Sequence, residues 1–214
     1  EEKLVSVGPK LSIYDNSGGR WFNDFPFGAD YKSDLRIAVG KLSSDSSEDS
    51  LVISGSAGGE VLLYTYHGAL LKDKIYPLGK KYNGGFSVAI GNVDSDKFGE
   101  IIVGAGKGRQ PEVIVFDHQL DKIKKRFVVD KNAKNQIMVA SGDTNGDGRD
   151  EIITGLTSAS AQSVKIFNLA GSTVSQFSIS QSFGRTITDV GASDVNFDNK
   201  DELNIACIGL SKEY

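Results

Sequence analysis

One segment of the sequence recurs three times at a constant interval, and any fold for this chain has to accommodate that repeat. Residues 88–94, 139–145 and 190–196 align with each other, and successive copies begin 51 positions apart (139 minus 88, and 190 minus 139). A weaker copy begins one interval earlier, at residues 37–40. An interval of this length predicts similar supersecondary units stacked side by side along the chain.

Each unit contains further short apolar runs that predict β-strands. A second run occupies residues 51–55, 100–104, 151–155 and 202–206, and a third occupies 61–64, 113–116 and 164–167. The runs are rich in Val and Ile and are bounded by Gly, Asn, Asp or Ser, as in strands joined by tight turns. A fourth extended segment completes each unit. The repeat therefore predicts an all-β fold of four-stranded antiparallel β-propeller blades, whose first two strands are buried on both faces.

The two ends of the sequence predict incomplete blades. Residues 4–7, 11–14 and 21–25 resemble strands two to four, three complete units follow, and residues 187–190 and 203–208 resemble strands one and two. We therefore divide one propeller segment into units at residues 1–33, 34–83, 84–136, 137–186 and 187–214. Both ends supply a second strand, so we expect an open segment of a larger propeller, with a compact four-bladed ring as the alternative. The start lacks a Met and resembles no signal peptide, which predicts a processed product or an excised segment of a longer protein.

The loop between the first and second strands carries oxygen-bearing side chains at alternating positions in three units. We name these loop one (residues 92–100), loop two (143–151) and loop three (194–202). Positions one, three, five and nine are Asn92, Asp94, Asp96 and Glu100 in loop one; Asp143, Asn145, Asp147 and Glu151 in loop two; and Asp194, Asn196, Asp198 and Glu202 in loop three. The residue at position seven is expected to turn its side chain away and to offer its backbone carbonyl; it is Phe98, Arg149 or Lys200.

Calcium is the metal that this pattern predicts. Ca²⁺ takes about six to eight oxygen ligands, and alternating residues on a curled loop direct their side chains to one centre. Gly146 and Gly148 allow the backbone conformations that such a curl requires. An EF-hand is excluded, because its last carboxylate stands at about position twelve of the loop and its flanks are helices.

Ordinary turns are the alternative interpretation of any one such loop, since Asp, Asn and Gly are common in turns. Three loops in the same phase of a repeat each gather several like charges, which is unfavourable unless a cation neutralises them. We therefore expect about three calcium ions. A fourth ion at Asp45 and Asp49 is not expected, because Lys41 stands where the first ligand of that loop should be.

With this strand order and this loop, the sequence resembles the FG-GAP/VCBS repeat family, whose blades form the amino-terminal propeller of integrin α chains and occur in many bacterial surface proteins. Residues 85–94, 100–106 and 113–117 carry the resemblance, together with Phe183 and Gly184, and it extends over nearly the whole chain. It implies structural calcium loops at one rim of the propeller, where each braces strand one to strand two. Lys41 departs from the family pattern.

Composition and charge argue against several classes of function. With 39% hydrophobic and 24% charged residues, the chain has the composition of an ordinary globular protein. A net charge of -4 argues against nucleic acid and anionic membranes as partners, because both require a basic surface. The basic cluster of Lys122, Lys124, Lys125 and Arg126 is interpreted as the solvated face of one strand. No apolar run is long enough to predict a membrane span.

The favoured function is a non-catalytic module for adhesion or for recognition of a protein or glycan ligand. Propellers present variable loops on a rigid scaffold, and the resemblance implies an extracellular or cell-surface location within a larger protein. Candidate contact loops are residues 106–111 and 156–162.

Two other functions stay open as alternatives. Some calcium-bearing propellers are polysaccharide lyases, but the only histidines that could act as a general base are His67 and His118, both just after a third strand. We therefore predict no enzymatic activity. The other alternative is a structural stalk or assembly domain, which has neighbouring domains or self-associates through its end blades. Cys207 lies in an apolar run and cannot form an internal disulfide, so a buried thiol is expected.

Overall fold

The computed structural model describes residues 3–15, 17–42, 50–157, 162–180 and 186–208, which form a succession of short β-strands. Their bounds are β1 Lys3–Val7, β2 Lys10–Tyr14, β3 Arg20–Asp24, β4 Leu35–Gly40, β5 Ser50–Gly55, β6 Val61–Thr65, β7 Leu70–Ile75, β8 Phe86–Gly91, β9 Glu100–Ala105, β10 Glu112–Phe116, β11 Ile123–Val128, β12 Ile137–Gly142, β13 Glu151–Thr157, β14 Gln162–Phe167, β15 Thr173–Ile179, β16 Thr186–Ser193 and β17 Glu202–Ile208.

The strands form five antiparallel sheets, and within each sheet every strand pairs with its neighbour in sequence. The sheets contain β1 to β3, β4 to β7, β8 to β11, β12 to β15, and β16 with β17. The three central sheets are complete four-stranded blades and the two outer sheets are partial, which confirms the predicted fold class. The first and last sheets stay separate and do not combine into one shared blade, so the described sheets do not close into a ring.

Apolar side chains fill the space between each pair of adjacent sheets. Ile101 packs against the preceding blade and Ile102 against the following one, and both are fully buried. Each such side chain contributes about 1.5–3 kcal/mol relative to an exposed one. Burial decreases outward within a blade, since β9 is buried along its whole length whereas the outermost strand of the same blade, β11, has no buried residue. Second strands buried on both faces are therefore confirmed for the three complete blades, but not for β17 in the last sheet.

Glycines let the innermost strands of adjacent blades approach closely. Gly91 ends β8 and Gly142 ends β12, and a Cβ atom at either position would lie 2.5 Å from a carboxylate oxygen of the next blade, that of Asp150 or Asp201. The equivalent residue at the end of β16 is Ser193. A side chain is accommodated there because no further sheet follows β16–β17 in the described chain.

The hairpins of strands three and four contain a β-bulge, an extra residue that interrupts the pairing. The register of β10 and β11 shifts between Val115 and Phe116, which leaves Lys124 between the paired positions. The same shift between β14 and β15 leaves Val174 in this place. Val174 is therefore the structural counterpart of Lys124.

Cys207 lies on β17 and is half-buried, so the prediction of a buried thiol is wrong. The cause is that β17 alternates between partly buried and exposed residues, with no third strand beside it in the described chain. The Sγ atom lies 3.5 Å from Oε1 of Gln162 in the preceding blade. None of the described residues belongs to a helix long and apolar enough to cross a bilayer.

Candidate metal centre

The three predicted loops connect the first and second strands of successive sheets, and the glutamate at position nine closes each loop in the same way. Its Oε2 atom accepts a hydrogen bond from the backbone N–H at position two. The N–H···O pairs are Val93 to Glu100 at 3.2 Å, Thr144 to Glu151 at 3.0 Å and Val195 to Glu202 at 3.0 Å. The closing glutamate is thus held in the same way in all three loops.

In loop two, the carboxylate of Asp143 organises the backbone. It accepts hydrogen bonds from the backbone N–H groups of Gly146 and Gly148 at 2.7 Å and of Asp147 at 3.1 Å. Burial raises the pKa of Asp143, but these N–H groups outweigh that effect and hold the pKa below its ordinary value. The φ angles of Gly146 and Gly148 are 82° and 85°, which produces the predicted curl.

Loop three repeats this arrangement without glycine. Asp194 accepts the N–H groups of Asp198 at 3.1 Å and of Asn199 at 2.9 Å. The left-handed conformations fall on Phe197 and Asn199, with φ of 63° and 66°. Phe197 is also 88% exposed. A bulky residue rarely adopts this conformation, so the loop geometry overrides the local preference of Phe197.

Position three contacts position nine in both of these loops. Asn145 donates from Nδ2 to Oε1 of Glu151 at 2.5 Å, and Asn196 donates from Nδ2 to Oε1 of Glu202 at 2.7 Å. An amide group thus lies against each closing glutamate, and it carries an oxygen ligand as well as a donor.

Loop one differs, because position three is Asp94 and a lysine enters the loop. The Lys124 ammonium lies 2.5 Å from Oδ2 of Asp94, 2.6 Å from Oε1 of Glu100 and 3.4 Å from Oδ2 of Asp96. One ligand atom from each of these three carboxylates lies within 4.8 Å of the others. Oδ1 of Asn92, at position one, is buried without a hydrogen-bond partner. The acidic centre of loop one therefore already contains a cation.

The electrostatics of loop one follow from this contact. Burial lowers the pKa of Lys124, but the hydrogen bonds to Asp94 and Glu100 outweigh it and raise the pKa above its ordinary value. Burial raises the pKa of Glu100, whose side chain is fully buried. The interpretation of the basic cluster as a solvated face is thus wrong for Lys124, which the carboxylates of Asp94 and Glu100 draw into the loop. Arg126 stays exposed, although it contacts Glu112 at 2.6 Å.

Position seven donates its backbone N–H to the carboxylate at position five in every loop. The distances are 2.7 Å from Phe98 to Asp96, 3.0 Å from Arg149 to Asp147 and 2.9 Å from Lys200 to Asp198. The side chains of Arg149 and Lys200 are exposed. The position-five carboxylates thus fix the backbone where a carbonyl ligand was expected.

The two histidines pack against aromatic rings. His118 lies on Phe98 with ring centroids 4.3 Å apart, and His67 lies on Tyr66 at 3.6 Å and near Trp21 at 5.4 Å. These contacts place His118 beside loop one and His67 at the interface of the first two sheets.

Position eight links each loop to the one before it, and sequence reasoning missed this role. The carboxylate of Asp150 accepts a hydrogen bond from the backbone N–H of Asn92 at 3.0 Å. The backbone N–H of Asp150 donates to the carbonyl of Asn92 at 2.8 Å. Gly99 makes the backbone half of this contact with Lys41 at 3.0 Å. The signal was available, since Asp150 and Asp201 occupy the same loop position in the repeat.

A cavity of about 430 Å³ lies between loops one and two, and Asp94, Asp147, Asp150 and Glu151 are among the residues that line it. Burial raises the pKa of Asp150, and repulsion from nearby carboxylates adds to this effect. Arg149 also lines this cavity, so four carboxylates share the space with one cationic side chain.

Other predicted positions lie apart from these loops. Asp45 and Asp49 fall outside the described residues, as do Phe183 and Gly184 and most of the contact loop at 156–162. In the contact loop at 106–111, Arg109 pairs with Glu112 at 2.6 Å and Gln110 donates to the carbonyl of Lys131 at 2.9 Å.

The donor chemistry of loops two and three fits a hard cation. Carboxylate and amide oxygens line both loops, and Ca²⁺ prefers such ligands. No ion pair joins a carboxylate of loop two or three to a cationic side chain within the described part of the chain. Their carboxylates instead accept hydrogen bonds from backbone N–H groups, from side-chain amides and, at Glu151, from the Thr144 hydroxyl at 2.6 Å.

Comparison with known proteins shows the fold. No family model matches the sequence, and no curated protein matches it. Among solved structures, the chain is similar to the Dos1 propeller, with a TM-score of 0.57 and 16% identity over 89% of this chain and 47% of that one. It is also similar to the exotype rhamnogalacturonan lyase YesX, with a TM-score of 0.57 and 12% identity over 96% of this chain and 42% of that one. The chain spans less than half the length of each.

Proposed function

We propose that this chain is a non-catalytic calcium-binding propeller module that recognises a protein or glycan ligand. The observation that carries the proposal is the common architecture of the three loops, in which oxygen-bearing side chains recur in phase on successive blades. The same loops support the assignment to the FG-GAP/VCBS repeats.

Calcium would act as a structural brace in this module. Loop two would hold it through Asp143, Asn145, Asp147 and Glu151, and loop three through the equivalent residues. An ion that binds only the native state stabilises a protein by about 2.7 kcal/mol when its free concentration is about a hundred times its dissociation constant. Calcium sites of extracellular modules have dissociation constants of about 10⁻⁴–10⁻³ M. Sites of this class function outside the cell, and we therefore place the module in an extracellular or cell-surface protein.

Recognition is favoured over catalysis by the environment of the two histidines. A general base needs a position from which it can reach a substrate proton. His118 stacks on Phe98 and His67 packs against Tyr66, so both imidazole rings are engaged in aromatic contacts at the edge of the sheets. The similarity to a lyase, at 12% identity, supports only a common fold.

A binding screen tests the proposed function. The purified chain is applied to immobilised glycans and to extracellular proteins, with millimolar calcium and with EDTA, and is assayed in parallel for cleavage of a rhamnogalacturonan. The proposal expects a ligand that is bound only with calcium, and no cleavage. Cleavage that is lost in both His67→Ala and His118→Ala would favour the lyase, and self-association without any ligand would favour the structural stalk.

A further inference from the structure

We propose that Lys124 acts as a tethered cation for loop one, which neutralises this loop in the absence of metal and lowers its calcium affinity below that of loops two and three. The inference rests on the proposed calcium binding and concerns how the three loops share it. Its consequence is that the chain binds two ions more tightly than the third.

The ammonium group of Lys124 occupies the place where a metal ion would bind in loop one. Nζ of Lys124 lies within 2.6 Å of Asp94 and Glu100, which are the predicted metal ligands at positions three and nine. A divalent ion cannot share these oxygens with an ammonium group at such distances, because the two cations repel each other. Calcium must therefore displace Lys124 before it can use the full set of ligands.

The composition of loop one explains why a lysine is needed there. In loops two and three, an asparagine amide at position three donates to the closing glutamate. In loop one, position three is Asp94, so two carboxylates face each other. Lys124 supplies the missing donor to both of them. Oδ1 of Asn92 still lacks a hydrogen-bond donor, and it is a further oxygen that a metal ion would satisfy.

The fold brings Lys124 into the loop through the bulge in β11. The extra residue at this bulge is Val174 in the following blade and, by the same register, Leu71 in the preceding one. Both side chains are about half exposed. Lys124 is thus the one of these three counterparts that can neutralise a loop.

Ion counting on matched variants tests the inference. Calcium bound at equilibrium is measured by dialysis and mass spectrometry for the unchanged chain, for Lys124→Met and for Lys125→Met. The control residue is the next residue of the same strand and is not part of the Lys124 contacts with the loop. At a calcium concentration that saturates loops two and three, we expect two ions for the unchanged chain and the control, and three for Lys124→Met. The affinity of loop one should rise at least tenfold in Lys124→Met.

Thermal melting in EDTA gives a second readout, which separates this role from ordinary packing. Lys124→Met should melt at a lower temperature than the unchanged chain in EDTA and should show the larger calcium-dependent rise. The reciprocal variant Val174→Lys, which places a lysine at the equivalent bulge beside loop two, should bind one ion fewer.

The outcomes also separate the inference from the proposed function. Three tight ions in the unchanged chain would overturn the role of Lys124 and leave calcium binding intact, as would two ions in both the unchanged chain and Lys124→Met. One ion in Lys124→Met and none in the unchanged chain would support the inference but remove loops two and three as calcium sites. No ion in either protein would overturn both.

Discussion

Asp201 contacts Asp143 of the preceding blade at two points: its carboxylate accepts the Asp143 N–H at 2.9 Å, and its own N–H donates to the Asp143 carbonyl at 2.8 Å. Asp150 makes the same pair of contacts with Asn92. Position one of each loop is thus held by the next loop. An ion bound in one loop should therefore also stabilise the packing of the adjacent blade.

The contact between Asp150 and Asn92 predicts a stability difference between two substitutions. Asp150→Ala leaves the Asn92 N–H without an acceptor, which should lower the free energy of unfolding by about 1–3 kcal/mol. Asp150→Asn keeps an acceptor oxygen and should retain most of the stability. Urea unfolding in EDTA measures both, and equal losses in the two variants would argue against this role of Asp150.

The raised pKa of Asp150 predicts how the Asp150→Asn variant responds to pH. A group whose pKa is raised in the folded state binds its proton more tightly there, so its ionisation destabilises the fold. In EDTA at neutral pH, removal of this charge in Asp150→Asn should offset part of the stability that is lost because an amide is a weaker acceptor than a carboxylate. That offset should shrink as the pH falls through the folded-state pKa and should vanish below the ordinary value of 3.8. A difference from the unchanged chain that is independent of pH would contradict the assignment.

Close packing of the innermost strands predicts that Gly142→Ala is destabilising. The added Cβ atom would lie 2.5 Å from the Asp201 carboxylate, and such overpacking costs about 1–3 kcal/mol. Gly191→Ala is the matched control, since its Cβ atom would meet only Asn204, at 3.9 Å. The melting temperatures of the two variants are compared by thermal unfolding. A decrease for Gly191→Ala as large as that for Gly142→Ala would contradict the close packing of the innermost strands at Gly142.

Burial of the second strands predicts a large effect for Ile102→Ala. Ile102 is fully buried in the core between the second and third complete blades, and truncation of such a side chain costs about 2–5 kcal/mol. Ile123→Ala on the outer strand β11 is the control, because Ile123 is 48% exposed. In denaturant unfolding, Ile102→Ala should have a clearly lower midpoint concentration than Ile123→Ala. Similar midpoints for the two variants would argue against a core between these blades.

The repeat and its hydrophobic runs predicted the strands, their order and the partial blades, because period and turn chemistry are local properties of the sequence. Contacts between neighbouring units were less accessible. The role of Asp150 depends on how closely adjacent blades approach, which the spacing within one unit does not determine. The position of Lys124 depends on a bulge that turns one residue out of the alternating pattern, so the strand pattern suggested a solvated side chain. The left-handed conformation of Phe197 follows from the geometry of its loop and contradicts local preference.

A thermal melt of the unchanged chain in EDTA and in millimolar calcium tests calcium binding most directly, alongside a variant that carries Glu151→Gln and Glu202→Gln, because position nine is a glutamate in all three loops. Asp130→Asn, a carboxylate outside the three loops, is the control. Calcium should raise the melting temperature of the unchanged chain and the control markedly, and most of that rise should be absent from the double variant. An equal melting temperature for the unchanged chain with and without calcium would contradict the proposal and leave the acidic loops as turns alone.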